Sequence, residues 1–202
     1  MSEKLLTKKF FKENPCQQNT VQQFIYSILL YKGCEEMVDE IITNQIGFDD
    51  ERKTQITHEK KQIQAEQNPE AIVQLMRQKI EMVNRVTLIK KALEFEEVIL
   101  PLVIDKLMTN NQSIFIENSV RLLAQSQQNP AALLKQRFGE IRSPYVQSLV
   151  CLIIGFRGDE DSIPWMMERY FELKKLYQSE TYDQGPLLAL YELNERFYKR
   201  WC

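Results

Sequence analysis

Residues 143–166 read SPYVQSLVCLIIGFRGDEDSIPWM, and this stretch decides the fold. Ser143-Pro144 is a helix start: the serine hydroxyl can accept an orphan amide of the first turn, and a proline there has no amide to leave unpaired. The helix that follows runs Leu149, Val150, Cys151, Leu152, Ile153, Ile154 without a polar interruption. At 3.6 residues per turn such a run is apolar all round, as expected of an element sandwiched between neighbours. The helix runs to about Phe156, the polar run DEDS follows, and Asp161 is placed to cap a second helix that contains Pro164. The result is a helical hairpin that cannot shield itself from water alone.

Working outward, the same signals recur. Downstream of Phe95 six helices are predicted, over residues 95–108, 114–125, 130–141, 144–156, 162–177 and 184–199, and Asn129-Pro130 repeats the cap-then-proline start. Upstream, Asn68-Pro69 opens a helix running to about residue 93, with Ile72, Leu75, Met76, Ile80, Val83 and Val86 keeping its period. Helices over 20–31 and 35–46, closed by Gly33 and Gly47, make an N-terminal hairpin. Residues 3–12 place Leu5, Leu6, Phe10 and Phe11 on about one face among Lys8, Lys9 and Lys12, which reads as a helix packed on the body rather than a basic membrane anchor. Between 49 and 67 (DDERKTQITHEKKQIQAEQ) the pattern breaks, leaving only Ile56, Ile63 and Ala65 apolar. That segment is a polar linker or a solvated helix held by charge pairs. No stretch alternates with period two long enough for a sheet, and 6 Gly with 7 Pro is sparse, so the fold class is all-α.

The hairpins repeat. Sliding the chain by 30 residues brings Phe115-Ile116 onto Tyr145-Val146, Val120 onto Val150 and Leu122-Leu123 onto Leu152-Ile153. A shift of 33 brings Leu100 onto Leu133, and only a shift of 38 brings Leu149-Val150 onto Leu187-Leu188. Periods in this range mark supersecondary units that stack to bury a continuous core. The quoted stretch resembles the HEAT family repeat. In that family a second helix opens near a proline, a Gly-x-x-Gly-Asp turn follows, and an Ile-Pro opens the next first helix. Pro144, Val146, Gly155, Gly158, Asp159, Ile163 and Pro164 match in order and spacing, Gln147 replaces the usual arginine, and Leu149, Cys151 and Ile153 replace small residues. The neighbours match in hydrophobic pattern over roughly residues 95–200. The resemblance implies a right-handed α-α superhelix, a HEAT-like solenoid of stacked hairpins. The expected organisation is 1–48 as an N-terminal hairpin region, 49–68 as the polar segment, and 69–202 as the repeats, continuous with 1–48.

Composition bounds the function. Lys+Arg 26 against Asp+Glu 28 gives a net charge of -2, whereas a protein that neutralises many phosphates carries a basic surplus. Nucleic acid is therefore disfavoured. Cys16, Cys34, Cys151 and Cys202 form no CxxC pair and read as free thiols in a reducing compartment. The N-terminal stretch lacks an export core, and no apolar run approaches the ~20 residues of a spanning helix, so a cytoplasmic protein without membrane contact is expected.

Chemistry-bearing constellations are scarce. His58 is the only histidine and lies in the polar segment, which leaves Ser-His-Asp and Cys-His arrangements without a base elsewhere. The HEAT-like metalloenzymes that hold iron with several His-Glu pairs lack a counterpart here. Glu94, Glu96 and Glu97 read as carboxylates drawn to a helix N-terminus, and no glycine loop for phosphate is present. No catalytic residue, cofactor or metal is expected.

The reading that follows is a non-enzymatic scaffold or adaptor for a protein or peptide, since stacked hairpins present an extended concave surface lined by their second helices. Glu117, Arg121 and Gln147, polar positions on such helices, are the candidate contacts. Trp165, Tyr198 and Trp201 join them from the aromatic C-terminal end, where Tyr and Trp are favoured interface anchors. Two alternatives stay open: an enzyme similar to the HEAT-like alkylation-repair glycosylases, enlisting Trp165 and Asp159, and a structural subunit that oligomerises through the C-terminal aromatics. With this acidic balance, duplex DNA at low salt should migrate unretarded in the presence of micromolar protein. A retarded band would bring the glycosylase alternative forward.

Overall fold

Residues 49–197 are described in a computed structural model, and side-chain acceptors for first-turn amides open several of its helices. Asp49 accepts from Arg52 N at 2.8 Å and opens α1 (Asp50–Ala65). Asn68 accepts from Glu70 N and Ala71 N and opens α2 (Pro69–Leu75). There follow α3 (Met82–Glu94), α4 (Glu96–Leu107), α5 (Ser113–Gln125), α6 (Ala131–Arg137) with a 3-10 turn at Phe138–Glu140, α7 (Pro144–Arg157), α8 (Ser162–Leu176) and α9 (Gln184–Phe197). Among the described residues the protein is all-α, with no strand.

Of the two readings of the polar segment after residue 49 the helix is the one found: its residues are mostly exposed, with Ile63 buried and α1 packed on α3. Two expectations need correction. The predicted helix from 69 to 93 is two helices, broken over residues 76–81. No glycine or proline makes that break. Distant groups take up the freed backbone: Asn118 Nδ2 donates to Met76 O at 2.9 Å, Gln112 Nε2 to Arg77 O at 2.6 Å, and Glu81 N to a Glu59 carboxylate oxygen at 3.1 Å. Asp161 stands before α8 but makes no capping bond. Asp159 instead accepts from the Ser162 hydroxyl at 2.9 Å. The hairpin expected over 20–46, Cys16, Cys34 and Cys202, and the last residues including Tyr198 and Trp201 lie outside the described residues.

Packing follows chain order. The odd helices form one series, α1 on α3, α3 on α5, α5 on α7 and α7 on α9, and each even helix sits against the odd helix that follows it. The odd helices run in the same direction. Arg85 near the start of α3 pairs with Glu117 near the start of α5, while Arg157 at the end of α7 donates to Ser126 O at the end of α5. Across the even series Arg137 of α6 pairs with Asp105 of α4, and Lys135 of α6 lies 3.7 Å from Asp159 at the approach to α8.

The tightest joint is α7 on α9. A β-carbon on Gly155 would stand 2.5 Å from Ala189 Cα, and one on Gly185 would enter the Ser148 carbonyl. The absence of side chains there lets the backbones approach, and Gly185 N donates to Ser148 Oγ at 3.1 Å. At the far end the Arg196 guanidinium donates to the carbonyls of Gly155, Phe156 and Gly158 at 2.8–3.0 Å, satisfying the carbonyl end of α7 with a cation. Gly155→Ala should therefore cost about 1–3 kcal/mol in urea unfolding, the usual penalty of overpacking. Gly139→Ala, where nothing lies within 4 Å of the new methyl, should unfold like the parent. Equal midpoints for the two variants would show that α7 and α9 are not in close contact.

Candidate functional site

α5 is enclosed on nearly every side. Phe115, Ile116, Asn118, Ser119, Val120, Leu122, Leu123 and Ala124 are buried, so that beyond Ser113 only Ile114, Glu117, Arg121 and Gln125 reach solvent. Steps of three and four put those four on one stripe. Two of the sequence-derived contact residues, Glu117 and Arg121, are thus brought together on the accessible edge of an otherwise interior helix.

The stripe connects to both flanking helices. The Glu117 carboxylate receives Arg85 Nη1 of α3 at 3.2 Å. On the other side the Tyr145 phenol, in the first turn of α7, is held above its ordinary ionisation range, chiefly by burial and then by the negative charge of Glu117. Arg85 and Glu117 thus bridge α3 and α5, and Tyr145 on α7 stands within reach of the Glu117 charge, so the three mark a polar line across successive odd helices. Arg121 lies one turn beyond Glu117. Its guanidinium is partly buried, with Nη1 fully covered and no acceptor among the described residues.

Gln147 and Trp165 do not join this row. Gln147 Nε2 donates to Ile141 O at 2.8 Å and so fixes the entry to α7. The half-buried Trp165 ring meets Phe138 edge-on at 5.0 Å and 88°, with the Arg169 guanidinium 5.7 Å above it. Both residues converge on the turn over 138–141, where Ile141 N donates to Phe138 O.

Sequence reasoning missed a second polar concentration, at the other end of the helices. Glu96 is buried, and its carboxylate accepts Gln127 N at 3.0 Å and Gln128 N at 2.5 Å, clamping the α3–α4 junction to the loop after α5. A cleft of about 480 Å³ opens there, lined by residues 93–98 and 127–128. Its buried carboxylate is already saturated by backbone amides. The only signal in the sequence was an acidic residue at a helix start, and that has a commoner explanation.

Other reactive groups are committed or enclosed. The Ser162 hydroxyl lies 3.1 Å from Lys135 Nζ and 2.9 Å from Asp159, but Ser162 is fully buried. Burial pushes the Cys151 thiol far above its usual range, which disfavours a thiolate. His58 is exposed and shares a hydrogen bond with Gln62 at 2.9 Å. Trp165 and Asp159, which a glycosylase would enlist, are engaged within the fold. Among the described residues no group of three or more His, Cys, Asp or Glu side chains is placed to hold a metal ion, and no helix is long and apolar enough to cross a membrane.

The row predicts a titration. Folding favours the neutral Tyr145 phenol, so its contribution to stability is complete below the unfolded tyrosine pKa and is lost as pH rises through the folded value. The difference in tyrosinate absorbance between the parent and Tyr145→Phe should show Tyr145 ionising above an ordinary tyrosine. Glu117→Gln should lower that value only partway, because burial is the larger cause. An ordinary value in the parent would mean the row is not formed in solution. The chain matches no family model, no curated protein and no solved structure.

Proposed function

We propose that the chain is a non-enzymatic scaffold of stacked helical hairpins, HEAT-like in arrangement, that binds a segment of a protein partner along the face made by its odd helices. The observation that carries this reading is the row Arg85–Glu117–Tyr145 with Arg121 beside it, a line of half-accessible polar groups on helices otherwise given over to the core. The order of packing supports the stack. Each odd helix meets the next odd helix along, and the bonds joining successive units link residues about one repeat apart, such as Arg85 to Glu117 and Asp105 to Arg137. A surface built by adding like units side by side is extended, and such surfaces serve recognition of proteins and peptides. Tyr145, 42% exposed, supplies an aromatic anchor of the kind interfaces favour.

A photoreactive phenylalanine analogue placed at Tyr145 should cross-link one discrete partner in native lysate, and Glu117→Lys in the same chain should abolish the product. The same probe at Lys175, exposed on α8, should give no such product. Indistinguishable patterns from the two positions, or no product at Tyr145, would remove the scaffold reading of this face.

A further inference from the structure

The outer face of α8 is not that of a polar cap. Ile163, Met166, Tyr170 and Leu173 form the buried face of this helix, which packs on α7 and α9. Steps of three and four put Glu168, Phe171, Glu172 and Lys175 together on the opposite face, and all four are exposed. Of the large apolar side chains that reach solvent among the described residues, the two most exposed, Phe171 at 54% and Leu176 at 62%, both lie on α8. A terminal unit of a stack keeps its outer face polar when that face meets only water. The charges around Phe171 are ordered as well. Arg169 sets one positive charge between two carboxylates, at 2.5 Å from Glu172 and 3.6 Å from Glu168, so the first half of the face keeps a net negative charge. Lys174 and Lys175 make the second half positive. Acids early and bases late suit the helix dipole, but the dipole gives no reason for a phenylalanine standing in water between them.

We infer that this face of α8 is the contact between two copies of the chain, paired antiparallel about a two-fold axis that passes beside Phe171. The symmetry of the pattern selects the occupant. Glu168 lies three residues before Phe171, and Lys175 lies three residues after Glu172. Turning one copy end for end about the midpoint of Phe171 and Glu172 therefore sets Glu168 of each copy against Lys175 of the other. The same operation brings the two Phe171 rings together at the axis, where each removes the other from water. Glu172 meets its own copy there, with its charge offset by Arg169. A parallel pairing would set acid on acid and base on base, and a partner of one uniform charge would oppose half of the face. The contact is one helix on one helix, smaller than the interfaces of stable dimers, so the dissociation constant should be on the order of 100 μM. α8 belongs to the even series, so the inference is independent of the scaffold reading of the odd-helix face.

Sedimentation equilibrium of the full chain from about 5 to about 500 μM tests this. The average mass should climb from one chain toward two over that range, and added salt should hold it lower, because the flanking ion pairs are screened. Glu168→Lys makes both ends of the face basic, and Lys175→Glu makes both ends acidic. Each variant alone should stay a single chain at the highest concentration. An equimolar mixture of the two should pair again, about tenfold or more tightly than either with itself, which a misfolded variant could not do. A photoreactive residue at Lys175 should join two copies of the purified chain, a product of twice its mass and distinct from the lysate partner expected at Tyr145. A parent that stays a single chain at the highest concentration overturns the inference. So does a mixture of the two variants that does not associate. A dimer that both single variants retain would place the contact elsewhere on the chain and overturn it too.

Discussion

Between Ser148 and Gly155 every residue of α7 is buried, and that single fact constrains the rest of the fold. A helix covered over its whole circumference has to be contacted from several directions, and α7 is packed by α5, α6, α8 and α9. Leu149, Val150, Leu152, Ile153 and Ile154 each contribute about 1.5–3 kcal/mol when fully withdrawn from water, so losing any one neighbour exposes more apolar surface than a marginal domain tolerates. The glycines mark where this demand is most severe. Gly155 and Gly185 bring α9 so near that backbone meets backbone, and the cover on that side of α7 has little room for water.

Once the apolar faces fix helix beside helix, the ends of those helices leave amides and carbonyls without partners, and these are satisfied from the next unit along. Arg157 serves the end of α5, and Arg196 serves the end of α7. Glu96 answers the amides of Gln127 and Gln128, and Asn129 donates to Arg157 O. Each bond reaches the adjacent unit and stops there. Hydrophobic contact supplies most of the energy. These polar links set the register, because a half-turn slip of one helix would leave a buried carboxylate or a row of carbonyls unmatched.

That division explains what could be read in the sequence. The caps at Asn68 and Ser143 were legible because a cap is chemistry between residues two or three apart. The all-round apolar run of α7 was legible for a similar reason, since periodicity is local. The break over 76–81 was not, because its acceptors and donors come from Glu59, Gln112 and Asn118, far along the chain. Glu96 failed the same way: its position fits a helix-dipole role, and its true partners lie 31 and 32 residues on. Of the face, Glu117 and Arg121 were visible as polar interruptions of an apolar helix. Arg85 was not, since nothing in the sequence near it says that its partner stands on α5. Gln147 occupies the position of an arginine in the pattern it resembles, but its amide is used at home on Ile141 O.

The arginines show where this fold uses its positive charge. Arg157 and Arg196 are turned inward onto carbonyls, Arg137 lies between Asp105 and Glu140, and Arg169 pairs with Glu172 while resting on Phe138 and Trp165. Each of these spends its charge where the helices need it. Arg121, on the one stripe of α5 that the core does not claim, has a covered Nη1 with no acceptor among the described residues. Glu117, one turn before it, pairs instead with Arg85 of α3, so here too the ion pair joins one helix to the next rather than one turn to the next.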